Sequence, residues 1–139
     1  MGTHIDKMSK QEQLAYWKRA SIKYRSGLKS KINLLFRTSE KRAVKNLWDF
    51  DLTKEWIKEK IEAGHCEVSG EMFSCKVGEF STHFNPYTPS IDRIDSSKGY
   101  TMNNCRMVLA CVNMGIGEWG LDFYLKTAKS VIEHQKMCN

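Results

Sequence analysis

The chain changes its pattern at Gly64. Before it, apolar residues recur at helical spacing; beyond it, both of the chain's 2 prolines, Pro86 and Pro89, fall in one short stretch. Proline fixes φ, lacks an N–H and biases the preceding residue toward extended backbone, so this stretch leads stiffly into a strand rather than a helix. The strand is predicted over Ser90 to Ile94, followed by the turn signal Ser96-Ser97-Lys98-Gly99, the loop Tyr100 to Asn104 and a second strand, Cys105 to Val108. With helical patterns on both sides, the expected class is α+β.

Upstream, Leu14, Trp17, Ala20, Ile22 and Tyr24 predict a helix over Gln11 to Tyr24, ended by Arg25-Ser26-Gly27. Ile32, Leu35, Phe36, Ala43 and Leu47 predict a second helix over Leu28 to Leu47, with Thr38-Ser39 as a candidate break. A third follows Thr53 as N-cap, with Trp56, Ile57 and Ile61 facing a core and Gly64 at its C-terminal end. His65 to Gly70 is expected as a short strand into a turn, and Glu71 to Tyr87 as irregular chain. A helix begins near Leu109, interrupted by Gly115 and Gly117, and a last one runs from Leu121 to Gln135 with Phe123, Tyr124, Ala128, Val131 and Ile132 inward. No Pro-rich or Ser-rich linker divides the chain, so residues 1–139 are expected to form a single domain with 1–48 as its helical layer.

Charge is unevenly placed. The net charge is +6, yet residues 1–48 hold 12 Lys and Arg against the acids Asp6, Glu12 and Glu40, a surplus of +9 that leaves −3 for the rest. Such a segment attracts polyanions, either nucleic-acid phosphate or an anionic membrane surface, unless it is simply a solvated helix face. The longest apolar run, Met107 to Val112, is far short of the roughly 18 residues of a bilayer span. The opening Met1 to Lys7 lacks the basic and apolar regions of a secretory signal, so a cytoplasmic location without membrane insertion is expected.

The 5 cysteines are Cys66, Cys75, Cys105, Cys111 and Cys138. Their odd number makes a disulfide framework unlikely, and their spacing departs from the paired thiolates of zinc sites, so small buried hydrophobes are the preferred reading over structural Zn²⁺.

The chemistry-bearing segment runs Pro89-Ser90-Ile91-Asp92-Arg93-Ile94-Asp95-Ser96-Ser97-Lys98-Gly99-Tyr100-Thr101-Met102-Asn103-Asn104-Cys105-Arg106-Met107-Val108 and on to Asn113. A hairpin packed on a helix can bring Asp92 and Asn113 near one point, where a carboxylate and an amide carbonyl could share a hard cation. The string resembles the HNH endonucleases of the ββα-metal superfamily, most closely a phage-type branch with SIDRID, KGYT, NCR and a later Asn. The resemblance also takes in Asp51 to Ile57 and Cys66 to Phe73, and spans roughly residues 49 to 132. It implies an HNH-like, treble-clef-like core over 49–139 behind a basic DNA-contact layer, closed by a C-terminal helix, and metal-dependent hydrolysis of DNA phosphodiesters. If the chain is phage-encoded, the cytoplasm is that of the host.

By position, the resemblance assigns Asp92 and Asn113 as ligands of Mg²⁺ or Mn²⁺, and Asn104 as the residue that fastens the hairpin and helps orient the base. One departure matters. Arg93 stands where such enzymes carry the general-base His, and a guanidinium with a pKa above about 12 cannot act as a base. Three readings stay open: His83 supplies the imidazole; Asp95 is the base, at the His position of a related Asp-Arg-Gly-His register; or the site binds DNA without cutting. In each, Arg93 would grip phosphate, with Arg106, Lys98, Arg42 and Lys45 as further nucleic-acid contacts. Against these stand plainer roles: Asp95 as a turn cap, His83 as loop packing, Asn104 as a backbone tie, and Arg106 and Lys98 as solvated charges.

Gly115, Gly117 and Gly120 fit a Gly-x-Gly-x-x-Gly spacing. They follow a helix rather than a strand and lack the Gly-Lys-Ser/Thr ending of a phosphate loop, so a hinge is expected and no nucleotide cofactor.

Overall fold

The computed structural model describes residues 8–74 and 85–138. The chain divides into two units, residues 1–34 and 35–139. Among the described residues the elements are α1 (Lys10–Asn46), α2 (Lys54–Glu62), β1 (Pro89–Arg93), β2 (Cys105–Leu109), α3 (Ala110–Ile116) and α4 (Leu121–Cys138). The class is mixed α+β, and no helix among these residues is long and apolar enough to cross a membrane.

In the first unit, α1 starts on a capping box. The Ser9 N–H and hydroxyl both donate to Glu12 Oε2, at 2.8 and 2.7 Å, and the Glu12 N–H returns a 3.3 Å bond to Ser9 Oγ. The Ser9 side-chain bond, with its backbone partner, holds the Glu12 carboxyl below the usual range. The break expected at Arg25-Ser26-Gly27 is absent, because α1 is one helix of 37 residues. A lone glycine costs only about 1 kcal/mol in a helix interior, too little to end one without a turn partner.

In the second unit, Thr38-Ser39 does not break α1 either. The Ser39 hydroxyl folds back onto the carbonyls of Leu35 (2.8 Å) and Phe36 (2.9 Å), which satisfies it inside the helix. The helix ends in a Schellman arrangement, Trp48 N–H bonding Ala43 O (2.9 Å) and Leu47 N–H bonding Val44 O (3.3 Å), with Leu47 at φ 56° in the slot glycine usually fills.

The α2 signals hold. Thr53 Oγ1 accepts the Trp56 N–H at 3.1 Å, Ile57 and Ile61 are buried, and Gly64 turns the chain at φ 85°. Residues 65–72 form a tight turn instead of a strand: Cys66 N–H bonds Glu71 O (2.8 Å), Gly70 N–H bonds Cys66 O (2.9 Å), and His65 and Met72 make one isolated bridge. Burial pushes the Cys66 thiol up, but hydrogen bonds from the Ser69 side chain and N–H and from the Leu109 and Val68 N–H groups outweigh it and leave its pKa lowered.

The strands β1 and β2 pair antiparallel, with Ser90 opposite Val108 and Asp92 opposite Arg106. Val108, Leu109, Val112 and Ile116 form a core with Cys66, flanked by Val68, Phe73, Tyr87, Leu121 and Tyr124. Gly115 does not interrupt α3; it lets α4 close in, since a Cβ there would lie 2.5 Å from Tyr124 Cε2. The expected hinge falls instead on Gly117 (φ 52°) and Gly120 (φ 86°), both in the left-handed region.

Two expectations need correcting. On α4, Phe123, Val131 and Ile132 are 54%, 55% and 55% exposed rather than inward, and no residue of that helix is fully buried. Only its first turns meet α3, so the apolar stripe outruns the surface available to cover it. Among the cysteines, Cys66 and Cys105 are buried as expected, whereas Cys111 and Cys138 are exposed. Cys75 lies outside the described residues.

Candidate functional site

Alternation along β1 sorts the candidate residues. Successive side chains of a strand point to opposite faces, so Ser90 and Asp92 share one face and Ile91 and Arg93 the other. The helix α3 follows β2 directly and lies over the Ser90–Asp92 face. There the Asn113 amide donates to Ser90 Oγ (2.8 Å) and to Ile91 O (3.0 Å), the carbonyl just before Asp92. Asp92 and Asn113, separated by 21 positions, are thereby brought together.

Asp92 is 3% exposed. The Arg106 guanidinium, directly across the strand pair, donates through Nε to Asp92 Oδ2 at 2.7 Å. Burial pushes the Asp92 carboxyl above its usual range, because desolvation of the charge outweighs the bond and field of Arg106 and the field of Arg93. Arg106 is therefore a partner of Asp92 and not a solvated charge. Among the described residues Asp92 Oδ1 has no protein hydrogen bond, the bond from Arg106 being made to Oδ2. Among the described residues Asn113 Oδ1 likewise has no protein donor, both of the amide's bonds being made by nitrogen. Two oxygens, one anionic and one neutral, thus remain as donors of the kind a hard divalent cation takes.

Arg93 lies apart from this pair. Its guanidinium stacks on Trp48 at 3.8 Å from the ring centroid, sits 5.1 Å from that of Tyr100, and donates through Nη1 to Lys98 O at 2.8 Å. This clamp ties the hairpin loop to the segment after α1. The same segment bonds the loop backbone: Tyr100 N–H to Asp49 O (2.9 Å), Asp51 N–H to Tyr100 O (3.2 Å), and Met102 N–H to Asp51 Oδ1 (2.7 Å). Gly99 makes the approach possible, since a Cβ there would lie 2.1 Å from Asp49 O.

Asn104 fastens the loop from within. Its amide donates to Gly99 O (2.9 Å) and Asp95 O (3.1 Å), and its Oδ1 accepts the Asp95 N–H (3.0 Å). Asp95 caps the turn, accepting from Ser97 Oγ (2.6 Å) and Ser97 N–H (3.0 Å), with Lys98 Nζ 3.2 Å from its other oxygen. The Ser97 bonds, foremost, and Lys98 hold its carboxyl down at about 2. A carboxylate that reluctant to take a proton is a poor general base near neutral pH. His83 lies outside the described residues.

Cys105, beneath Arg93 on the far face, has its thiol pushed up to about 12 by burial, which makes it inert. The residues Arg37, Lys41, Arg42 and Lys45 on the last turns of α1 are all exposed, and none makes an ion pair among the described residues. Arg37, Lys41 and Lys45 recur at four-residue spacing, which aligns them along one helix face.

Sequence reasoning missed the Asp92–Arg106 pair and the Trp48–Arg93 stack. The first needs the strand register and the second needs the fold of residues 48–51 onto the hairpin loop. Comparison with protein-family models, curated proteins and solved structures returns no match, so the chain's own geometry carries the functional reading.

Proposed function

We propose that the protein is a metal-dependent DNA endonuclease of HNH type, hydrolysing phosphodiester bonds with an activated water on a ββα-metal core formed by β1, β2 and α3. The observation that carries this reading is the seating of Asn113 from α3 on β1, through Ser90 and the carbonyl just before Asp92, with Asp92 Oδ1 and Asn113 Oδ1 both without a protein hydrogen bond among the described residues. The donor chemistry fits Mg²⁺ or Mn²⁺, with Asp92 Oδ1 and Asn113 Oδ1 as the protein's ligands. When bound, such an ion offsets charge on the scissile phosphate and on the leaving 3′ oxygen.

The chain's own residues supply the rest. Asn104 keeps the loop closed so that β1 presents Asp92 at a fixed depth. Arg93, stacked on Trp48 and bonded to Lys98 O, fixes the loop. The exposed cations of α1 attract DNA without regard to sequence. Arg93 cannot accept a proton and Asp95 is held at about 2, which leaves His83 as the candidate base that the sequence offers.

Plasmid nicking tests the reading. Purified protein with Mg²⁺ is expected to nick plasmid, and chelator to stop it. Asp92→Ala or Asn113→Ala should each cost more than the roughly 10–100-fold that loss of a supporting residue costs at a metal site. Full nicking by both variants would sink the assignment. His83→Ala should abolish cleavage while DNA retention in a gel shift stays intact.

A second reading rests on Arg93 itself. A base-incompetent residue stacked into the loop is also what a DNA-binding protein that has lost cleavage would carry. Salt-sensitive DNA binding without nicking across several divalent metals would favour it.

A further inference from the structure

Asp92 already has a counter-ion. Arg106 Nε sits 2.7 Å from Asp92 Oδ2, and its side chain is only 15% exposed, so the pair is held out of bulk solvent on the face that Asn113 closes. Asn113 adds an oxygen but no charge. Among the described residues no group of three or more His, Cys, Asp or Glu side chains converges to hold a metal ion. Asp95 is engaged by Ser97 and Lys98, and Asp51, on the segment after α1, accepts the Met102 N–H. The Asp92–Arg106 pair is therefore neutral before any cation arrives, and Arg93 on the opposite face adds a further positive field.

A divalent cation entering such a site carries two charges that the Asp92–Arg106 pair and Asn113 do not offset, in a partly desolvated place where charges interact more strongly than in water. Its affinity must be low until a second anion arrives. Resting on the nuclease reading, we propose that Arg106 makes divalent-cation binding at Asp92 conditional on a phosphodiester: it holds Asp92 Oδ2, confines the cation to Oδ1, and leaves the missing negative charge to be supplied by the DNA backbone. Cation and DNA then bind cooperatively, each raising the other's affinity by the same factor, as linkage requires. Arg106 is thus a positioning residue that acts through Asp92 and keeps the cation from occupying the site without substrate.

The test is Mn²⁺ binding followed by electron paramagnetic resonance. It uses the full chain with and without a short phosphorothioate duplex, which keeps the backbone charge while slowing cleavage, after subtraction of Mn²⁺ bound to the duplex alone. In the wild type the duplex should tighten Asp92-dependent Mn²⁺ binding by about tenfold or more, within the range of coupled sites. A duplex with neutral methylphosphonate linkages should not. Arg106→Gln should tighten Mn²⁺ binding in the absence of DNA and shrink the coupling, whereas Arg106→Lys, which keeps the charge, should preserve it. The wild-type comparison stands even if Arg106→Gln fails to fold. Equal Mn²⁺ affinity with and without the charged duplex, alongside nicking that depends on Asp92, overturns the coupling and leaves the nuclease reading standing. No Asp92-dependent Mn²⁺ signal under either condition overturns both.

Discussion

Leu47 shows how a single residue can sit against its own preference. It occupies the left-handed position of the α1 C-terminal motif at φ 56° and is 94% exposed, so its side chain returns little packing for a conformation that costs an L-residue roughly 1–2 kcal/mol. Leu47→Gly should therefore stabilise the protein by about 0.5–1 kcal/mol, after allowing for the looser unfolded chain, measured as a shift of the urea midpoint at unchanged slope. Asp95 works in the opposite sense. Its folded pKa of about 2 lies below the ordinary 3.8, so the fold favours the ionised form. The resulting stabilisation is complete above about pH 3.8, declines as pH falls through the interval, and is gone below about 2. Asp95→Asn should flatten that acid limb when urea midpoints are compared between about pH 5 and about pH 2. Neither effect could be read from the residue alone. Leucine gives no signal for a C-cap, and the sequence left Asp95 between a turn cap and a catalytic role, whereas the structure shows its carboxylate bonded to Ser97 and Lys98.

At the scale of elements, the hairpin was the most legible part of the chain. Prolines before it and Ser96-Ser97-Lys98-Gly99 within it placed β1 and β2 within a residue of where they lie. The Thr53 cap and Gly64 bounded α2 for equally local reasons. What failed were the breaks. Gly27, Thr38-Ser39 and Gly115 all lie inside helices, since a weak local preference yields to continuous hydrogen bonding when no competing turn is offered. The capping box at Ser9 and Glu12 was present in the sequence and went unused. The inward face given to α4 failed for a different reason: periodicity identifies an apolar stripe but not whether anything is there to cover it. Gly99 belongs to this scale too, because its role is the meeting of two segments. Gly99→Ala would place a methyl against the Asp49 backbone, which cannot rotate away, and should cost about 1–3 kcal/mol by urea unfolding, with the hairpin loop losing amide-exchange protection first.

For the whole molecule, the charge asymmetry now has a partial address. The cations Arg37, Lys41, Arg42 and Lys45 lie in the same unit as Asp92 and Asn113, with no carboxylate partner among the described residues. If they hold phosphate, each contact removed by substitution to Gln should lower the slope of log affinity against log salt by about 0.9, read by fluorescence anisotropy on duplex DNA. Asp92 and Asn113 themselves were legible only through the ordered string they belong to, whereas Arg106 needed the register and Trp48 needed the long return of residues 48–51. That return also bears on the order of assembly. The hairpin and α3 close over short stretches of chain, but the bond from Met102 to Asp51 joins residues 51 positions apart. Closing so long a loop costs conformational entropy before the bond rewards it, so the clamp on the hairpin loop belongs to the last stage of folding. Asp51→Ala should accordingly speed unfolding while leaving the refolding rate almost unchanged in stopped-flow kinetics. The hairpin and helix carrying Asp92 and Asn113 would then be assembled before the strap that locks them is drawn tight.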